Sequence, residues 1–496
     1  MKRLHFIRLG ICLLLLGGSL LVYAGAAMGA TCEPLPPANG NIVNVDSVSS
    51  LRAAVNNALA GDDILIADGV YNLNGVYLRI DVPNITLRSA SGNRNAVILD
   101  GNYQTTEIIQ IAASNITIAD ITLREAYYHP IHVMSSDTAD TRNTLIYNVR
   151  IIDPGEQAIK INPTGAGFYP DEGTIACSHI ELTNAGRPHI RNNCYTGGID
   201  AHQAEDWVIR DNRIEGFWCE SGLSEHGIHL WRGSRGTLVE RNVLNNNARG
   251  IGFGLVTSGN ARTYPDSPCP AAGGSYVDHY DGIVRNNFVF ANEAALFASN
   301  DGFDCGICIW QACGAKVLNN TVASTAAPLS SIEWRFDNTS VDIRNNIVSH
   351  NLRHRGGSAN LENNIEQAPL AMFADGSNGD LHLIPSATIA IDQASVLADV
   401  ADDIDGELRS AATPPDIGAD EHSPFDCSGD SVGISTHTFG TNTKTTCIAQ
   451  TSITIGPNVT AKTNAEVTLI SPLVRFGSQV HIEPGAVLQI TQPSSR

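Results

Sequence analysis

One short pattern recurs along the middle of this chain and limits what it can fold into. An apolar residue is followed by one or two polar ones, then asparagine or a stand-in, then another apolar residue. It reads ITIADITL (116–123), LIYNVRI (145–151), VIRDNRI (208–214) and LVERNVL (238–244), then IVRNNFV (283–289), VLNNTV (317–322), DIRNNIV (342–348) and NLENNI (360–365). Most copies lie about 25 to 35 residues apart, the length of one turn of a parallel β-helix. A single turn is too thin to bury its own apolar face, so turns must stack. Asparagine suits such a turn, because it tolerates a left-handed bend and its amide can bond the same amide one coil on. A sandwich of unrelated turns gives no account of so regular a repeat.

The start of the repeat region fits the same reading. SVSSLRAAVNNALAGDDILIADGVYNL (47–73) opens with serine caps, runs as a short amphipathic helix that stops at Gly61, and continues as a strand. Such a helix would cover the open first coil, whose unpaired backbone invites aggregation. With these features the chain resembles the pectate-lyase-like superfamily of secreted bacterial proteins over roughly residues 45 to 370. The resemblance implies an all-β fold, a right-handed parallel β-helix with an N-terminal capping helix. It does not imply one activity, since the superfamily holds lyases, hydrolases, epimerases and inert fibres.

The flanks divide the rest. MKRLHFIRLG followed by ICLLLLGGSLLVYAGAAMGA, with small residues near Ala26 and Ala30, reads as a signal peptide over 1–30. Cys32 raises a lipoprotein site, but Thr31 is a poor residue before a lipidated cysteine. No later segment is long and apolar enough to span a bilayer, so a secreted, periplasmic or cell-surface monomer is expected. The β-helix with its cap takes 31–370, a closing segment 371–421, and a small C-terminal β module 422–496. Within the closing segment, DDIDGELRSAATPPDIGADE (402–421) resembles a stretch that often ends secreted bacterial β-helix proteins. Its acids read as a structural or calcium-binding turn.

Charge and cysteines narrow the class further. The net charge of −20 argues against nucleic acid as a partner, while arginine and histidine between Arg187 and Arg249 allow a locally basic patch. Eleven cysteines, with Cys12 in the leader, leave an even number for bridges in an oxidising compartment. Cys177 with Cys194, Cys219 with Cys269, and Cys427 with Cys447 are the expected local pairs. Cys305, Cys308 and Cys313 form a tight group, which a stapled loop explains better than a metal site.

Stacking the coils predicts a surface patch. Ile131, Ile159, Ile199, Ile228 and Ile251 align as one inward column, and Val133, Ile161, Ala201, Leu230 and Phe253 as the next. Strand side chains alternate, so the residues between must point outward. One outward column then reads His132, Lys160, Asp200, His229 and Gly252; its neighbour reads Met134, Asn162, His202, Trp231 and Gly254. Beyond the leader the only lysines are Lys160, Lys316, Lys444 and Lys462, and one of them falls opposite an aspartate beside histidines. Gly252 and Gly254 are expected to open room for a ligand, and Trp231 to offer a flat face to a sugar ring.

Such a patch suits an acidic polysaccharide. β-Elimination from a uronate needs a cation at the carboxylate, a base for the adjacent C–H, and an acid for the leaving oxygen. Arg187, Arg191, Arg232 and Arg249 are the candidate cations. Lys160 or His229 is the candidate base with Asp200 orienting it, His229 or His202 being better if the aspartate keeps the lysine charged. Tyr195 is the candidate acid, with His132, Asn162 and His226 as further contacts to substrate. Chondroitinase-B-like and alginate-lyase enzymes are the nearest functional comparison, and that resemblance implies a lysine base, for which Lys160 is the match, and a calcium ion held by acids. Only Glu156 and Asp200 stand in loosely for those acids. A glycoside hydrolase, a uronate epimerase and a noncatalytic carbohydrate-binding protein are the alternatives. His226 and His229 with Glu225 bring zinc to mind, but the histidines are three apart in a strand rather than four apart on a helix. Lys160→Ala, His229→Ala and Asp200→Asn are expected to leave the fold intact.

Overall fold

The computed structural model describes residues 32–267, 269, 276–410, 413–422, 427–435, 437–440 and 444–491, so the leader expected at 1–30 lies outside them. Most of the chain forms three long sheets, one of 14 strands and two of 10, whose mutual pairings are parallel. Successive strands visit the sheets in turn. Thr174–Ala176, His179–Glu181 and Gly197–His202 complete one coil, and Val208–Arg210, Arg213–Glu215 and His226–Trp231 complete the next. This is the right-handed parallel β-helix that the repeat predicts.

The repeated asparagines divide two tasks between adjacent positions. Asp211, Arg241, Asn286, Asn319, Asn345 and Asn363 take the left-handed backbone at the bend. The residue after each points inward, and Asn212, Asn242, Asn287, Asn320, Asn346 and Asn364 form a ladder. Each of the first five donates its Nδ2 to the next Oδ1 at 2.9–3.0 Å. Each of the same amides also donates to a backbone carbonyl of the preceding coil at 2.9–3.0 Å. The bend and the amide ladder are therefore served by neighbouring residues, not by one asparagine.

The N-terminal cap is the helix Val48–Asn56, with Ser47 and Ser50 in a capping box and Leu51 and Val55 buried against the first coil. It ends at Asn56, short of Gly61. Gly61 instead takes a positive φ in the turn before the strand Asp62–Ile66.

After the last coil the chain folds back. Met372, Phe373, Leu381 and Ile417 pack on Phe288, Phe290 and Ile347 of the β-helix wall. The 402–421 stretch is a hydrogen-bonded lock. Arg409 donates to the carbonyls of Asp402, Asp416 and Gly418 and to Glu421, while Asp403 accepts the N–H groups of Asp405, Glu407 and Glu421. Beyond it, strands between Ser428 and Thr491 pair in parallel into two small sheets. They enclose a core of their own around Ile453, Ile455, Val467 and Leu469.

The cysteines pair differently from the local scheme. The bridges are Cys32–Cys177, Cys194–Cys219, Cys269–Cys313, Cys305–Cys308 and Cys427–Cys447. Of the three local pairs expected only the last forms, while Cys305–Cys308 is the staple expected in that cysteine group. In a coil the nearest neighbours in space lie a whole turn away, so Cys194 reaches the next turn's Cys219 instead of Cys177. These bridges fit an oxidising compartment, and no helix among the described residues is long and apolar enough to cross a membrane.

Candidate functional site

The site lies on the outer face of the sheet that contains Gln157–Asn162, Gly197–His202 and His226–Trp231. Register pairs Ile131 with Ile159, Ile159 with Ile199, Ile199 with Ile228 and Ile228 with Ile251, and all five are fully buried. The outward column therefore runs His132, Lys160, Asp200, His229 and Gly252, then on to Cys308 and Glu333. Rungs of a parallel sheet sit about 4.8 Å apart, close enough for side chains two coils apart to touch.

Lys160 is the hub. Its ammonium donates to Asp200 Oδ2, to His202 Nε2 at 3.0 Å and to the Tyr195 hydroxyl at 3.3 Å, which uses all three of its N–H groups. The other carboxylate oxygen, Asp200 Oδ1, accepts the Trp231 indole N–H at 2.8 Å. Lys160 is 7% exposed and Asp200 1%. Burial opposes both charges, yet each outweighs it for the other. The Asp200 carboxyl is held well below its usual range, chiefly by Lys160, and the Lys160 ammonium is raised by Asp200. Burial lowers His202 more than Asp200 raises it, so its imidazole is neutral at neutral pH. Burial also raises the Tyr195 phenol and Asp200 adds to that, with Lys160 working the other way.

Buried charges of this kind overturn one expectation directly. Asp200→Asn and Lys160→Ala each strand the partner's charge away from water, so neither substitution is neutral for the fold. His229 has no accessible surface either; it stacks on Trp231 with centroids 5.2 Å apart, and its Nε2 donates to the Gly254 carbonyl at 3.3 Å. It supports Asp200 from behind and is not placed to touch a substrate. Trp231 is 7% exposed and offers no open face, its ring being covered by His229 and, at 4.4 Å, by the Arg232 guanidinium. Gly252 does not open a ligand space, because a Cβ there would lie 2.5 Å from His226 Nε2. The His226 imidazole fills that place. Gly254 serves a positive φ of 73°.

The remaining expected residues separate into those near the hub and those tied elsewhere. His132 bonds Glu107 Oε1 and Asn162 Oδ1, both at 2.8 Å, one coil before Lys160. Arg232 and Arg191 lie over the Trp231 and Tyr127 rings, and neither pairs with a carboxylate among the described residues. Arg187 is a loop fastener: it donates to the Gly216 carbonyl at 2.9 Å and to that of Trp218, over whose ring it lies at 3.8 Å. Arg249 is neutralised by Asp304 at 2.7 Å. Asp200 faces an ammonium and an indole N–H, and Glu156 accepts from Asn192. Such donor-facing acids do not fit a calcium ion.

One structural device was missed. Ahead of Ile199, Ile228, Ile251 and Ile307 stand Gly198, Gly227, Gly250 and Gly306, and these glycines also turn inward. A Cβ at Gly198 would meet Ile214 at 2.8 Å, at Gly227 Leu244 at 2.9 Å, and at Gly250 Val289 at 2.9 Å. Two consecutive inward residues bring positions three apart, such as His226 and His229, to one outer face. The recurrent Gly-Ile dipeptide carries that signal. Two coils on, Cys305 and Cys308 occupy the same two columns and bond each other.

No family profile matches the chain, and no curated protein matches it either. Solved structures do. An alginate lyase from Paenibacillus sp. str. FPU-7 is 17% identical with a TM-score of 0.44, covering 65% of this chain and 97% of its own. The pectate lyase Pel9A is 13% identical with a TM-score of 0.46, covering 77% and 96%. A polygalacturonase from Erwinia carotovora ssp. carotovora is 11% identical with a TM-score of 0.35, covering 94% and 100%. Overlap this loose transfers no residue roles.

Proposed function

We propose that this chain is an extracytoplasmic, polysaccharide-active enzyme that cleaves a uronate-containing polymer by β-elimination on the outer face of the β-helix. The observation that carries the reading is the Lys160 ammonium, which touches one fixed carboxylate and two proton-carrying groups at once. His202 Nε2 lies 3.0 Å from the ammonium and 3.3 Å from Asp200 Oδ2; because an ammonium only donates, we assign the tautomer in which Nε2 is unprotonated and accepts from Lys160.

The chemistry follows from that arrangement. A uronate carboxylate arriving at Lys160 takes up the N–H that caps His202 and so frees Nε2 to act as a base. Lys160, together with the Arg232 guanidinium, which pairs with no carboxylate among the described residues, offsets the negative charge that grows on the substrate carboxylate as the neighbouring C–H is lost. The pair of electrons left on carbon forms the new C=C bond, and the C–O bond to the leaving sugar breaks. Tyr195, whose oxygen already accepts from the ammonium, donates its proton to that oxygen. Asp200 keeps Lys160 charged and in place, and Trp231 keeps Asp200 in place.

The test mixes purified protein with alginate, pectate and chondroitin and follows the ultraviolet absorbance of the conjugated product. Absorbance with one of these polymers, lost in His202→Gln and in Tyr195→Phe, supports the reading. New reducing ends without absorbance favour hydrolysis, binding without either favours a noncatalytic protein, and undiminished turnover in both variants rejects the site.

A further inference from the structure

Behind Asp200, away from Lys160, three side chains converge that the proposed elimination does not use. Glu225 comes from the loop ahead of the strand, and His226 and His229 come from the strand itself. Their ligand atoms all lie within 4.8 Å of one another. Glu225 Oε2 is 3.2 Å from His229 Nδ1 and 3.9 Å from His226 Nδ1. Ligands of a tetrahedral ion with bonds of about 2.0–2.1 Å stand about 3.3 Å apart, so these separations are close to what such an ion requires.

The state of those atoms says more than their spacing. Glu225 Oε2, His229 Nδ1 and both ring nitrogens of His226 are buried and have no hydrogen-bond partner among the described residues. Both histidines have no accessible surface at all, and the Glu225 side chain is 16% exposed. His229 Nε2 donates to the Gly254 carbonyl at 3.3 Å, which leaves the Nδ1 lone pair turned toward Glu225. A backbone carbonyl holding the far nitrogen of an imidazole is the usual support for a metal-binding histidine. Gly252 supplies the room, since any side chain there would strike the His226 ring. Polar atoms left unpaired at such depth destabilise a fold. A sequence that turns Glu225 Oε2 toward His226 Nδ1 and His229 Nδ1 has a reason to do so.

We propose that Glu225, His226 and His229 bind a divalent transition ion of the zinc class. Two imidazoles and a carboxylate suit a borderline ion better than calcium, which prefers six or more oxygens. Glu225, on the more exposed side, marks the way in. The ion is structural: it ties the loop ahead of the strand to the site sheet. Neither histidine reaches the surface, so the ion does not touch a substrate, although His229 Nδ1 also lies 3.6 Å from Asp200 Oδ1 and couples the ion to that support.

The test uses the full chain, stripped with EDTA, dialysed against Zn²⁺ and desalted. We expect retention of about one zinc per chain, with an X-ray absorption spectrum showing two imidazoles, the remaining neighbours oxygen, and no sulfur. Co²⁺ in its place should give the intense visible bands of a four-coordinate ion. Glu225→Gln and His226→Gln should lose most of the retained metal. Wild-type protein retaining less than about a tenth of an equivalent overturns the proposal. So does a spectrum with a single imidazole, which would place the metal at His382 with Asp405 and Asp420 or at His179 with Glu181 and Glu215. Undiminished retention in a Glu225→Gln variant with a native circular dichroism spectrum overturns it too.

Discussion

Asp200→Asn is the perturbation that bears hardest on the site. Asparagine keeps the shape, and its oxygen can still accept the Trp231 indole N–H, so little changes except the charge facing Lys160. That ammonium is 7% exposed and its partner 1%. Removing one member of a buried pair costs about 3–5 kcal/mol, because the survivor is left uncompensated away from water. The variant has an escape, since Lys160 can lose its proton. Without Asp200, burial, the largest influence on the ammonium, is opposed only by Tyr195 and pulls its pKa below the unfolded value of 10.5. Between that lowered value and 10.5 the unfolded chain binds more protons than the folded one, so the variant's stability rises with pH. The wild-type pair behaves oppositely on the alkaline side, because its raised lysine loses its contribution as pH climbs through the folded pKa.

Urea denaturation of wild type, Asp200→Asn, Lys160→Met and the double variant at pH 7 and 9 separates these cases. Hydrogen exchange over 157–162 and 197–202 reports the same effect locally, which matters because stacked coils need not unfold in one step. Asp200→Asn should lose about 3–5 kcal/mol at pH 7 and less at pH 9, and the double variant should regain most of it. A loss below about 1 kcal/mol, or a double variant no more stable than Asp200→Asn, would refute the account of a buried, mutually dependent pair.

Four further outcomes follow from the same geometry. Asn287→Ala leaves the Asn242 backbone N–H and Nδ2 without the oxygen they share, so denaturation should show a loss of about 2–6 kcal/mol. Asn115→Gly, in the exposed Asn84–Asn115–Asn143 ladder at a φ of 60°, should cost less than about 1 kcal/mol because water replaces the amide and glycine accepts the backbone. Gly250→Ala drives a Cβ onto the Gly306 carbonyl and should cost about 1–3 kcal/mol or more, against a change within about 0.5 kcal/mol for Gly433→Ala, where nothing lies within 4 Å. The pH profile of elimination should fall on the acid side only below the usual histidine value of 6.5, because burial lowers His202, and on the alkaline side only above 10.0, because burial raises Tyr195. A profile centred on 6.5 would remove His202 as the base.

Much of this was legible in the sequence because a stacked coil turns periodicity into position. The spacing of IVRNNFV and its relatives named the fold, and counting inward isoleucines put Lys160, Asp200 and His229 on consecutive rungs in their observed register. What strand alternation could not supply was depth. Outward means away from the β-helix core, and here loops lie over the outer face, so His229 is outward in register and yet fully buried. The arginines misled for a related reason. Arg187 and Arg249 find their partners at Trp218 and Asp304, in loops whose paths no periodicity describes. The bend at the Gly-Ile dipeptides was the third gap. A straight strand would send His226 and His229 to opposite faces, whereas two consecutive inward residues bring them together.

The same bend helps to gather polar groups on this wall, where Glu333, farther along the same outward column, is also fully buried and accepts from Trp310 and Arg355. A regular outer face presents each rung's side chain to water, where an ion pair contributes at most about 1 kcal/mol and holds nothing in place. Under Tyr195 and Glu225 the ladder is dry, and each charge must find its partner on a neighbouring coil. Lys160 reaches Asp200 and His202 one rung on, Asp200 reaches Trp231 a rung further, and His229 closes against Gly254 beyond. The groups are thereby fixed by the stacking of the coils themselves, and under the proposed elimination a substrate carboxylate at Lys160 would meet an ammonium whose position no longer has to be set.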